Sequence, residues 1–192
     1  NFLIHDYFFA RTMDKVRLGS INAFITSKGT MDKENPSVRK YLAQRAELLG
    51  AIRLPNNTFK DAAGTEVTAD ILILQKRDRM VDQLPAWVSL GVDANGLLVN
   101  QYFVDNPNMV LGIMQEVSGP YGPETACLPI DGSSLEELLT DAIQNINGSV
   151  MEYEVDDPES EEEDRSIPAD PSVRNFSFTV VDGEIYYREN SI

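Results

Sequence analysis

The chain has 192 residues, is 42% hydrophobic and carries a net charge of −15, so it can bury one hydrophobic core with a smaller appended unit. It contains no run of about eighteen apolar residues and no basic-then-apolar leader, which excludes a membrane span and a signal peptide and favours a cytoplasmic protein. One cysteine and one histidine exclude an internal disulfide framework and an ordinary histidine–cysteine metal cluster.

Residues 1–79 alternate between predicted helices and strands. Apolar residues recur every three to four positions over residues 2–16, which indicates an amphipathic helix. Residues 21–26 are short, apolar and bounded by glycine and serine, so they are predicted to form a buried strand. A second helix is predicted to begin with Asn35 as its N-cap and Pro36 at its first position, with Arg39, Lys40 and Arg45 on its solvent face.

Two further strands are predicted at residues 48–54 and 69–75, separated by a polar loop that contains glycine. This order of helices and strands is the α/β pattern, and nearly continuous apolar strands are typical of a sheet covered on both faces. The chain begins at Asn1 rather than at a methionine, and the helical pattern starts at once. We therefore expect a segment cut from a longer polypeptide.

Residues 80–151 are predicted to form an α+β extension. Strands are predicted at 87–92 and 97–103, on either side of an Asn-Gly turn signal, and Trp87, Tyr102 and Phe103 are predicted to pack in the core. A capping box at Ser133-Ser134 predicts a helix that ends before residue 148. Cys127 is predicted to be a small buried apolar residue rather than a reactive thiol.

The remaining residues divide into a linker and a hairpin. Nine of the thirteen residues from 152 to 164 are acidic, which predicts an acidic linker or disordered loop over residues 152–175. Residues 176–192 are predicted to form a β-hairpin, because Asp182-Gly183 suits a tight turn between alternating strands.

The net charge is divided unevenly along the chain. Residues 1–79 hold 13 Lys or Arg and 9 Asp or Glu, a net +4, whereas residues 80–192 hold 3 Lys or Arg and 22 Asp or Glu, a net −19. The first region is suited to facing a polyanion, and the second alone would be repelled by one.

A more specific resemblance lies in residues 1–79. The sequences PSVRKYLAQRAEL, LLGAIRLP, NNTF and TADILILQK resemble the C-terminal half of the catalytic domain of adenine-N6 DNA methyltransferases, particularly the modification subunits of type I restriction systems. The sequences HDYFFA, TSKGTMDK and VDGEIYYRENS are similar to methylase regions fused to helicases on bacterial mobile elements. The resemblance implies part of a Rossmann-like S-adenosylmethionine-dependent sheet, with residues 69–75 as its antiparallel seventh strand, followed by the acidic extension.

The resemblance also implies roles for individual residues. In the family, an aromatic on the loop between the sixth and seventh strands stacks on a flipped adenine, and Phe59 is the matching position. Such stacking contributes ~1–3 kcal/mol per base, and the alternative is that Phe59 packs under its own loop. Lys28, Arg53 and Lys60 are weaker candidates for contacts with DNA phosphate, and the alternative for each is an ordinary solvated side chain.

The residues that would perform methyl transfer are missing from the chain. It has no Gly-rich cofactor loop and no Asn/Asp-Pro-Pro-aromatic tetrapeptide, since Asn35-Pro36 and Asn106-Pro107 lack the second proline and the aromatic. No catalytic, cofactor-binding or metal-binding residue is therefore assigned. We expect the chain alone to be inactive. In the parent protein, the resemblance implies S-adenosylmethionine as the cofactor. It implies DNA, the upstream half of the methyltransferase domain and a downstream helicase domain as the partners.

Two other functions stay open. The acidic residues could form a non-enzymatic interaction or regulatory module that binds a basic partner or mimics DNA, which requires carboxylates fixed on an ordered surface. The parent protein could also modify RNA, because an aromatic and a sheet of this kind do not distinguish the two substrates.

Overall fold

The computed structural model describes residues 4–119, 122–153, 167–168, 170–182 and 184–188, in two compact units, Asn1–Tyr153 and Glu154–Ile192. The fold is mixed α/β with small antiparallel sheets, which confirms the predicted class in its coarser form. Every strand pairing within these sheets is antiparallel, so the described residues show no parallel Rossmann-like sheet.

The larger unit begins with a three-stranded sheet and its helices. Strand β3 (Ala69–Lys76) lies between β1 (Ile21–Ser27) and β2 (Ala46–Leu54) and runs antiparallel to both. The predicted helices and strands of this region are present, and two short helices are added. The first strand is largely exposed rather than buried, and the second helix begins at Ser37 with Pro36, not Asn35, as its N-cap. The elements are α1 (Ile4–Lys15), β1 (Ile21–Ser27), α2 (Gly29–Asp32), α3 (Ser37–Arg45), β2 (Ala46–Leu54), α4 (Lys60–Ala63) and β3 (Ala69–Lys76).

One hydrophobic core joins this sheet to the residues that follow it. Met13 of α1, Leu42 of α3 and Leu74 of β3 are buried in the same cluster as Trp87 and Phe103, whose predicted core positions are confirmed. The extension contains β4 (Leu90–Val92), β5 (Leu98–Asn100), α5 (Gln101–Asp105), β6 (Ile113–Gly119), β7 (Gly122–Leu128) and α6 (Leu135–Gln144), with single 3₁₀ turns at Ala86–Val88 and Pro107–Met109.

The extension packs against the sheet at several points. The amide of Leu111 donates to the carbonyl of Arg53 at 2.9 Å, which covers the free edge of β2. The side-chain amide of Gln75 donates to the carbonyl of Met151 at 2.7 Å and accepts from the Met151 amide at 2.8 Å. A Cβ atom on Gly148 would lie 2.1 Å from the carbonyl oxygen of Leu49, so only glycine allows the chain to cross β2 there.

The predictions for the extension need four corrections. The strand predicted at 97–103 stops at Asn100, because the Asn100 side chain accepts from the Tyr102 amide at 2.9 Å and caps α5. The strand predicted at 87–92 is a 3₁₀ turn followed by the short β4, and the β6–β7 hairpin was not predicted. Ser134 is the N-cap of α6, but its side chain makes no capping hydrogen bond.

The smaller unit contains the predicted C-terminal hairpin. Strand β8 (Phe178–Val181) pairs antiparallel with β9 (Glu184–Tyr187), and Asp182 has φ 51°, the left-handed conformation that a tight turn of this kind requires. Most of the acidic segment, residues 154–166, lies outside the described residues.

The single cysteine is confirmed as a buried residue. Cys127 is 0% exposed and its amide donates to Thr68 Oγ1 at 2.9 Å. Burial raises the pKa of its thiol to about 12, and the thiolate is the reactive form.

We therefore expect no alkylation of the native chain by iodoacetamide at mildly alkaline pH, and rapid alkylation in concentrated urea. Mass spectrometry of the intact protein and of its peptides measures this, because Cys127 is the single thiol of the chain. Native-state alkylation as fast as that of a free thiol would contradict the buried position.

Candidate functional site

The most polar part of the interior surrounds Arg53 of β2, which is 0% exposed. Its Nε and Nη2 donate to the two carboxylate oxygens of Asp70 at 2.8 Å each. Its Nη1 and Nη2 donate to the carboxylate of Asp32 at 2.8 and 2.9 Å. The Phe103 ring covers the guanidinium, with its centroid 4.3 Å from Cζ. We call Arg53, Asp32 and Asp70 the ionic cluster.

The backbone places these three side chains together. Arg53 and Asp70 are directly opposite each other in the β2–β3 pairing, and Asp32 ends α2. Burial works against the charge on Arg53, but Asp70 and Asp32 outweigh it and raise the pKa of the guanidinium above its ordinary value. The charged atoms bond to one another inside the protein, so the ionic cluster is a structural clamp.

Asn100 connects the ionic cluster to the extension. Its amide donates to Asp32 Oδ1 at 2.9 Å, and its side chain donates to the carbonyls of Met31 and Trp87 at 2.8 Å each. Asp32 therefore bonds both to Arg53 of the sheet and to Asn100, the N-cap of α5. This arrangement satisfies polar groups that would be costly to bury alone.

The residues predicted from sequence occupy different settings. Arg53 is not the surface arginine that its position suggested, and a phosphate contact would require its ion pairs to open. Phe59 is half-buried and packs against the hydrophobic core. Lys28 donates to Thr125 Oγ1 at 3.1 Å and acts electrostatically on Asp70, which brings it into the neighbourhood of Arg53. Lys60 forms an exposed ion pair with Glu66 at 2.6 Å. The binding roles of Phe59, Lys28 and Lys60 stay predictions.

The surface of residues 80–151 carries carboxylates and no cation. No lysine or arginine stands between Arg79 and Arg165. Asp93 is half-buried and accepts from two amides of its own turn, at 2.9 and 2.8 Å. We call the exposed carboxylates of this region the carboxylate surface: Asp82, Asp105, Glu116, Glu124, Asp131, Glu136, Glu137 and Asp141.

The carboxylates of helix α6 are not all at positions where negative charge stabilises a helix. Glu136 and Glu137 lie in the first turn, where the helix dipole favours negative charge. Asp141 lies near the other end, where the dipole disfavours it, and four residues after Glu137, a spacing at which like charges repel. Ala142 is buried on the opposite side. The acidic side of α6 is thus ordered by its apolar side.

Within the described residues, no group of three or more His, Cys, Asp or Glu is arranged to hold a metal ion. The same residues contain no helix with the length and apolar character needed to cross a membrane.

Comparison with known proteins gives a match to the protein named Defense against restriction protein B, from Escherichia phage P1. The two sequences are 35% identical over 81 residues, which is 41% of this chain and 4% of the phage protein. The chain thus spans a small part of that relative. No family model matches the chain, and no solved structure matches it.

These findings correct the methyltransferase assignment, which was drawn from short stretches of sequence. The relative is named for defence against restriction, and no methyltransferase family model matches. The assignment of the chain to an adenine-N6 DNA methyltransferase, to a restriction modification subunit or to a helicase-fused methylase of a mobile element is therefore wrong. The acidic interaction module, the alternative inferred from charge, agrees better with the relative.

Replacing Arg53 with methionine tests the ionic cluster. Asp32 and Asp70 would then be buried without their counter-charge, so we expect the free energy of unfolding to fall by about 3–5 kcal/mol. Urea denaturation followed by circular dichroism measures the change. Lys60→Met removes an exposed ion pair and serves as the matched control, with almost no expected change. Equal effects of the two substitutions would show that the cluster does not stabilise the fold.

Proposed function

We propose that the chain is a non-enzymatic interaction module that uses its carboxylate surface to bind a basic protein surface, and that it acts against restriction by occupying the DNA-binding surface of a restriction enzyme. The observation that carries the proposal is the absence of any lysine or arginine between Arg79 and Arg165, combined with the ordered elements that hold the carboxylates. The name of the phage relative supports the choice of target.

The electrostatics of DNA binding explain how such a surface would compete. Proteins bind DNA largely through cationic contacts with phosphates, and this part of the affinity is independent of sequence. Carboxylates fixed on α6 and on the β6–β7 hairpin offer negative charge without ordering a flexible segment first. Complementary charge also accelerates the encounter between the two proteins.

We separately propose that the three-stranded sheet is part of a larger Rossmann-like sheet. A larger Rossmann-like sheet would continue beyond β1, whose outer edge has no strand partner among the described residues. Ile21 and Ile25 on one face of β1 are 52% and 63% exposed, and both faces of a Rossmann-like sheet are ordinarily covered by helices. Hydrogen exchange of the β1 amides in a longer polypeptide tests this: slow exchange of the outward amides supports the larger sheet, and fast exchange contradicts it.

Competition with DNA tests the proposed target. We expect the chain to displace a fluorescent duplex from restriction endonucleases, with an effect that weakens steeply as salt is added. Fluorescence anisotropy at several salt concentrations measures the displacement. The triple variant Glu136→Gln, Glu137→Gln, Asp141→Asn removes three negative charges from α6 and should displace less DNA at equal concentration.

The control variant changes the same helix without changing its charge. Ser134→Ala, Thr140→Ala and Gln144→Ala alter exposed polar residues of the same segment and should leave the displacement unchanged. If the chain displaces DNA from none of several endonucleases at low salt, the proposed target is rejected. Equal displacement by the acidic and neutralised chains would reject the carboxylate surface as the binding site.

A further inference from the structure

A second buried arginine has different partners from those of Arg53. Arg39 of α3 is 1% exposed, so the prediction that it lies on the solvent face of its helix is wrong. Its Nε donates to the carbonyl of Val88 at 2.9 Å, and its Nη1 donates to the carbonyl of Thr30 at 3.3 Å. Both of these acceptors are backbone carbonyls, and among the described residues no carboxylate hydrogen-bonds to this guanidinium.

A buried cation of this kind is only partly compensated. An arginine stays charged inside a protein, and buried charges are ordinarily paired. Burial lowers the pKa of Arg39, and the negative charge of Asp32 opposes that shift. Asp32, however, already binds Arg53 and the amide of Asn100 through its carboxylate oxygens. Arg39 therefore keeps donor capacity that no carboxylate of the described residues takes up.

Arg39 lines an open cavity of about 500 Å³. Lys40 lines the same cavity and is exposed, which adds a second cation. Pro36 also lines it, at the start of α3, whose first turn contains no acidic residue. The positive end of the helix dipole therefore acts in the same direction as the two cations. Glu34 on the cavity wall is the opposing charge.

The extension contributes apolar side chains to the cavity lining. Val88, Leu90 and Leu98 of the extension line it, together with Ser89. The volume greatly exceeds that of a single phosphate ion. The cavity therefore has room for an anionic group against Arg39 and an apolar or aromatic group against the leucines.

We propose that this cavity binds a phosphate monoester, with the phosphoryl group on Arg39 and Lys40 and the organic group on Leu90 and Leu98. Guanidinium donors, an ammonium group and a helix start are the combination by which proteins recognise phosphate. The site lies on α3, β4 and β5 and does not use the carboxylate surface. Binding at this cavity can therefore be tested independently of the proposed action against restriction.

Phenyl phosphate is a suitable probe because it carries both groups. We expect saturable shifts of the Arg39 Nε–Hε signal and of the amides of residues 37–40 when phenyl phosphate is titrated into the ¹⁵N-labelled chain. Inorganic phosphate should bind more weakly, since it leaves the apolar wall uncovered. Acetate and chloride at equal ionic strength should give no saturable shift of these signals.

Three substitutions make the test independent of folding effects at Arg39. Lys40→Met should weaken phenyl phosphate binding by about tenfold, the factor for loss of one charge-assisted contact. Glu34→Gln should strengthen binding, because it removes the opposing charge. Lys15→Met is the matched control, since Lys15 is an exposed lysine that does not line the cavity, and it should leave phenyl phosphate binding unchanged.

Four results would overturn the proposal. The first is the absence of saturable shifts with phenyl phosphate, and the second is equal saturation by acetate, which would indicate a site for carboxylates. The third is an affinity that Lys40→Met and Glu34→Gln leave unchanged. The fourth is a loss of affinity in Lys15→Met as large as that in Lys40→Met, which would indicate attraction by surface charge alone.

Discussion

The burial of the Arg53 guanidinium constrains the whole of the larger unit. Its charge is tolerated only because carboxylates from two other elements reach it, one across the β2–β3 pairing and one from the end of α2. A shift of one residue in that pairing would turn Asp70 to the other face of the sheet. Phe103 closes the cluster from the extension. Strand register, the position of α2 and the docking of the extension are therefore fixed by one side chain.

Much of the sheet could be predicted from the sequence because its strands and helices are set by local periodicity. The extension was harder, because its elements depend on single contacts: α5 replaces the end of a strand where the side chain of Asn100 accepts from the helix. The β6–β7 hairpin escaped prediction because Gln115, Glu116 and Ser118 break the apolar pattern of its first strand. In such segments, tertiary contacts outweigh the intrinsic preferences of the residues.

The two buried arginines show why charged sites are difficult to find in one sequence. Arg53 and Asp70 are each the single charged residue within an otherwise apolar part of a strand, and that shared feature was a usable signal for a pair. Arg39 lies three and four residues before Leu42 and Ala43, on the buried face of α3, but its charge favoured the solvent face that Lys40 occupies. The difference arises from residues 86–98, which fold over Arg39 and not over Lys40. The carboxylate surface, by contrast, follows directly from composition.

The uneven placement of basic residues also determines which reagents can report on each part of the molecule. All six lysines lie before residue 80, so amine-directed cross-linkers and acylating enzymes reach side chains only in the region of the three-stranded sheet. Trypsin finds no site between Arg79 and Arg165, and the whole extension is released from the chain as one long acidic peptide. Lysine-directed reagents therefore cannot label the carboxylate surface, and carboxylate-directed coupling is the means of mapping it.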